Sequence, residues 1–247
     1  MLALSENSEE KHRADYQQYY WHWDGLMNKD TDGKKLLLIG LIGAIITVIG
    51  GELPLGWYTN PDLPDRVMAQ FAGYGSVSDL QLALGVFFGG IGIALQGLGY
   101  EGISKIIGTD SKLRHPSKII HIGALACGSL GPLVHILAIA MMYVCRSGNQ
   151  EEIMRFAGFM VAPITIVFMP IYMAMMVVMF VMIISGKTVW SKGYAFANPM
   201  IIMMVVNAVT FFGPNLPVVH SIQMANMGLG SLITFACLIT KNAKCKA

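Results

Sequence analysis

Charge is what this sequence has least of. Of its 247 residues only 13% are Asp, Glu, Lys or Arg, against about 25% in a soluble domain, while 54% are hydrophobic. A soluble fold of this length cannot cover its surface with so little charge. There is no basic stripe with interleaved aromatics, and the formal net charge is only +2, so nothing marks a nucleic-acid partner. Cysteine is scarce too. Cys127 and Cys237 fall inside apolar runs, Cys145 near the end of one, and Cys245 in a basic tail. That spacing excludes a disulfide framework and a Cys-x-x-Cys metal motif. Cys245, between Lys244 and Lys246, is a candidate for acylation. The opening stretch MLALSENSEEKHRADYQQYYWHWDG has no apolar h-region, so no cleavable signal peptide is expected. GTDSKLRHPSK is no phosphate loop, and GGIGIALQG follows no strand and is no dinucleotide fingerprint.

What is present is apolar sequence in runs of about 20 residues, enough to cross roughly 30 Å of hydrocarbon at 1.5 Å per residue. Six such segments are expected, at about 36–53, 80–98, 119–144, within 156–185, 200–212 and 218–240. The fold class is therefore all-α, a polytopic transmembrane helix bundle. Residues 1–34 are a cytoplasmic or interfacial segment, 35–240 the six-helix membrane domain, and 241–247 a basic tail. The fourth segment is long for one crossing, and Pro163 and Pro170 should kink it. The fifth is short and open to a re-entrant reading.

Lys and Arg set the orientation. With the N-terminus inside, 14 of the 17 basic residues fall on the inner side, leaving Arg66, Arg146 and Arg155 outside. Both termini are then cytoplasmic and the chain lies in the cell membrane. Residues 16–25, rich in Tyr and Trp, suit the headgroup zone as an interfacial helix.

Small residues recur at helical spacing: Gly40, Gly43, Thr47 and Gly50 in the first span, Gly85, Gly89, Gly92, Gln96 and Gly99 in the second, Ala124, Gly128 and Gly131 in the third. Such faces let helix backbones approach where no hydrophobic effect drives association. The Met-rich fourth span reads as packing or lipid contact.

Ionisable groups inside a membrane are costly and are functional candidates by default. Glu52, His135 and His220 fall in the outer half by this topology, with Asp79 at the outer start of the second span. Gln223 and Asn226 continue inward from His220 on one helix face, and Asn207 and Thr210 lie on the fifth span. A polar pocket opening toward the outer leaflet is expected, with Pro54, Pro132, Pro214 and Pro217 in the same layer. Glu52, His135 and His220 would be its catalytic groups, or the ligands of a divalent metal. Asp79, Asn207, Thr210, Gln223 and Asn226 would bind the substrate.

Three functions fit. The first is an intramembrane enzyme acting on a lipid or amphipathic molecule. The second is a small, oligomeric transporter or channel, against which stands the lack of an acid at mid-membrane. The third is a non-catalytic membrane partner or sensor docking through the aromatic N-terminal stretch. The later third of the chain, GKTVWSKGYAFANPM (186–200) through LITFACLI, with its short basic loop and its Asn198-Pro199 helix start, resembles a group of uncharacterised bacterial six-span membrane proteins. That resemblance implies a six-span fold and brings no activity. The His-x-x-x-His pair of the seven-span ceramidase-like hydrolases is lacking.

Overall fold

The computed structural model describes residues 29–242. The aromatic stretch 16–25 and Cys245 lie outside the described residues. Four helices are long and apolar enough to cross a membrane: α1 (Asp32–Leu55), α3 (Asp79–Ile107), α4 (Ser111–Ser147) and α5 (Gln150–Ile184). A short amphipathic helix, α2 (Arg66–Gly75), lies between the first two. After α5 come a six-residue 3-10 turn (Lys192–Ala197) and a shorter apolar helix, α6 (Pro199–Phe211). The chain ends in α7 (Pro217–Met224) and α8 (Asn226–Asn242). These two meet at 61° and make a fifth crossing if counted as one broken span. Against the six spans expected, the described residues hold four helices of crossing length, one broken pair that makes a fifth, and one shorter apolar helix. The 13 residues of α6 reach about 20 Å, short of the hydrocarbon thickness.

Helix starts follow from capping residues. Asp65 accepts from the amides of Val67 and Met68 and begins α2. Ser78 and Gln81 form a reciprocal capping box at the head of α3. Gln81 also donates to the carbonyls of Pro54 (2.7 Å) and Trp57 (3.1 Å), joining the end of α1 to the start of α3. Asn149 caps α5, with Glu151 and Glu152 in its first turn, where the helix dipole favours them. Asn198 does two things. Its Oδ1 accepts from the Met200 amide to start α6, and its Nδ2 donates to the Met176 carbonyl of α5 at 2.9 Å.

The elements alternate end to end. One end gathers Lys34, Lys35, Lys105, Lys112, Arg114, Lys118, Lys187 and Lys192, and the other Arg66, Arg146 and Arg155. The first is called the basic end below. There Trp190 of the 186–195 loop is buried and donates to the Leu238 carbonyl of α8. His121 Nδ1 pairs with Glu101 at 2.6 Å.

The small-residue faces pack as their spacing predicts. A side chain on Gly40 would overlap Gly99, and one on Gly43 would sit 2.7 Å from the Gly92 carbonyl, so α1 and α3 touch backbone to backbone. Gly97 meets Gly128 in the same way between α3 and α4. The main core lies among α3, α4, α5 and α8. Tyr100, Met175, Met176, Met179 and Phe235 are fully buried there, so these methionines of the Met-rich span pack inward. A smaller cluster of Leu55, Tyr58, Val77, Leu82, Ile139 and Met142 closes the opposite end.

Three spans contain π-helical stretches: Ile46–Glu52 in α1, Gly85–Gly89 in α3 and Ala157–Val161 in α5. The first two face each other, with Gly51 against the backbone of Gly89. Pro54 follows the first and Pro163 the third, and each removes an amide that a regular α-helix would use.

Candidate functional site at a broken helix

The break between α7 and α8 falls at Ala225, with no proline or glycine on either side. A helix start leaves its first amides without intrahelical acceptors, and a side chain from the preceding residue normally caps them. The methyl group of Ala225 cannot. Glu52 of α1 stands there instead. Its carboxyl group faces the Gly228 backbone amide, and a Cβ on Gly228 would overlap Oε2. Glu52 is 6% exposed, and its Oε2 has no hydrogen-bond partner. Ser221 of α7 fixes the geometry by donating to the Leu53 carbonyl of α1 at 2.9 Å, and Gly56 packs against its backbone. Both halves of the broken element are thereby docked on the last turns of α1.

Other buried polar groups lie between the helices that surround the break. Gln96 of α3 donates to the Thr47 hydroxyl (2.8 Å), which donates to the Gly43 carbonyl (3.0 Å). Tyr100 and Ser231 share a hydrogen bond of 2.7 Å between α3 and α8. Tyr172 of α5 stands edge-on to Tyr100 and is in electrostatic contact with Glu52. Asn226, the first residue of α8, donates to Asn207 of α6 at 3.1 Å.

The expected site residues separate into distinct places. His135 Nε2 lies 3.2 Å from the Gly85 carbonyl, its ring filling the space over Gly89 in the π-helical stretch of α3. His220 sits at the end opposite the basic one, bonded to Asn215 (2.8 Å) and stacked on Tyr58 with ring centroids 4.9 Å apart. Asn215 in turn exchanges two hydrogen bonds with the Asn60 backbone. Burial, with Tyr74 beside it, holds the Tyr58 phenol above the ordinary tyrosine range. Asp79 is bound by Arg146, which also reaches the Val77 carbonyl. Thr210 bonds back to the Val206 carbonyl of its own helix. Gln223 is half-buried on α7. Of all these, only Asn207 and Asn226 touch through their side chains. Glu52, His135 and His220 each have different neighbours, and among the described residues no three His, Cys, Asp or Glu side chains are grouped to hold a metal ion.

Sequence reasoning missed Gly228, Ser221, Asn60, Asn215 and Tyr58 as site neighbours. Thr47 and Gln96 stood out only as members of small-residue faces. Gly228 had one available signal, a pair of glycines, Gly228 and Gly230, between polar Asn226 and Ser231 near the start of an apolar run. No curated protein and no solved structure matches this chain. The sequence model of a family of unknown function (DUF6796) matches residues 27–245, nearly the whole length, and the chain belongs to that family.

Proposed function

We propose that this chain is a small membrane carrier whose solute path passes the break between α7 and α8. A single observation carries the reading: a helix interrupted inside the bundle, its amide end set against a buried carboxyl group with one unpartnered oxygen. Interrupted helices of this kind offer polar backbone within a membrane, where an unbroken helix offers none, and broken spans recur at the binding sites of carriers. Asn207 and Asn226 lie at the same break and supply further polar contacts. The enzyme reading draws on Glu52, His135 and His220 acting together, and their separate neighbours give it less support.

On this reading α6 and the α7–α8 pair complete six membrane elements in the cell membrane, with both chain ends on the cytoplasmic, basic side. The excess of Lys and Arg at that end supports the orientation. The test is water access. Single cysteines replace Asn207 or Asn226 in a chain whose four native cysteines are serine, and a membrane-impermeant thiol reagent is applied from either side. Labelling at both positions is expected. Protection of both from both sides, in protein that remains folded, would remove the carrier reading.

A further inference from the structure

We propose that Glu52 is a proton-exchange site, taking up and releasing one proton at its carboxyl group as the amide end of α8 withdraws and approaches. The proposal rests on the carrier reading only for the route by which water reaches the break.

The argument starts from the orphaned oxygen. A carboxylate removed from water must be paired, coordinate a cation or carry a proton. Pairing is incomplete here, because Oε2 makes no hydrogen bond. The charged and titratable surroundings are sparse. Glu52 is buried beside the Gly228 amide, with Tyr172 of α5 near it. The described part of α8 around Gly228 brings no charged side chain, and the facing stretch of α3, Gly85–Gly89, brings none either. His220 of α7 is engaged by Asn215 and Tyr58. A hard cation would need about six oxygen ligands, and among the described residues Glu52 belongs to no group of three or more His, Cys, Asp or Glu side chains. A proton needs one.

The amide end of α8 is the second half of the device. It favours the anion through its free N–H groups and the helix dipole. Approach of α8 therefore favours loss of the proton, and withdrawal favours its uptake. The step is a simple one: an O–H bond forms on one carboxyl oxygen as an O–H bond of a hydronium ion at the break is broken, leaving water, and the reverse returns the proton; no electrons are transferred. The 61° bend between α7 and α8 falls at this point, so the free amides and the buried acid meet at one break.

The experiment is infrared difference spectroscopy on the purified full-length chain in detergent, titrated from acid to alkaline pH in choline and in sodium buffers. Wild type should show one carboxylic-acid carbonyl band that titrates with pH and is missing in Glu52→Gln. A Glu52 signal that stays in one state across the whole range would make it a fixed structural cap and overturn the proposal. So would a band displaced by sodium at constant pH, which would make the site a cation site. Gly228→Ala keeps the acid but pushes it off the amide end. It should move the midpoint by about one pH unit, a tenfold change in proton affinity. An unmoved midpoint would overturn the role of α8 even if Glu52→Gln fails to fold. A titrating band with cysteines at 207 and 226 unlabelled would leave the proton site standing and remove the carrier.

Discussion

Where α1 crosses α3, Gly40 lies on Gly99 and Gly43 on Gly92, and backbone meets backbone with nothing between. Where α6 meets α8, one close glycine contact, Gly230 on the Pro199 backbone, is joined by a side-chain bond, Asn226 to Asn207 at 3.1 Å. The first half of the molecule is a frame of long helices fitted through glycine. The last part, from α6 to α8, is a set of shorter pieces held largely by caps, turns and single hydrogen bonds. The contrast separates rigidity from chemistry. Close-packed backbone leaves no room for a second arrangement. An interrupted helix held by polar contacts has partners it can exchange.

Four measurements would break or sharpen that contrast, each a change in unfolding free energy or its pH dependence in detergent. The largest effect belongs to the frame. Gly40→Leu meets the Gly99 backbone, which cannot rotate away, so a loss of about 3 kcal/mol or failure to fold is expected. If this variant is as stable as wild type, the glycine seam is not what holds α1 to α3. Next comes the hinge between the halves. Asn198→Ala removes the cap of α6 and the bond to the Met176 carbonyl, and should cost about 2 kcal/mol.

The third concerns the closing cluster at the end opposite the basic one. The folded-state pKa of Tyr58 is raised by burial, so the stability it adds is fully present below the unfolded tyrosine pKa of about 10 and fades as pH rises toward the folded value. Stability should fall by about 1 kcal/mol by about pH 11, and Tyr58→Phe should flatten that slope. An unchanged slope would assign the loss to other groups. The smallest effect lies in the broken half. A double-mutant cycle on Asn207 and Asn226 should give a coupling of about 0.6 kcal/mol, the usual size for a hydrogen bond between membrane helices. A coupling above about 2 kcal/mol would make this half as tightly specified as the frame.

The same contrast explains what the sequence made legible. The glycine faces of α1 and α3 could be read directly, because helical periodicity alone decides which residues share a face. The bias of Lys and Arg likewise showed the alternation of ends. Asn198-Pro199 was visible as a helix start, though its bond across to α5 was not. The bend at Ala225 was not legible at all. The stretch 218–240 reads as one apolar run, and neither neighbour of Ala225 is a proline or a glycine. The group that faces it lies more than 160 residues upstream, a glutamate set against amides a straight helix would have used. Depth in the membrane placed Glu52, His135 and His220 in one layer. Depth says nothing of angle around the bundle, and the three residues turn to different neighbours. Asn215 and Asn60 were missed because their pairing joins two loops through backbone groups, which no spacing rule reports.

The cap of α8 has a consequence for the order in which the molecule is made. Glu52 leaves the ribosome with the first span, and Gly228 with the last. Between the two events the carboxyl group waits in a growing bundle without the amide it will face. A chain that stops short of α8 keeps an acid with no place to put it, inside a membrane that tolerates such groups poorly. Completion of the last helix therefore brings to the acid of the first one the amide end that it faces.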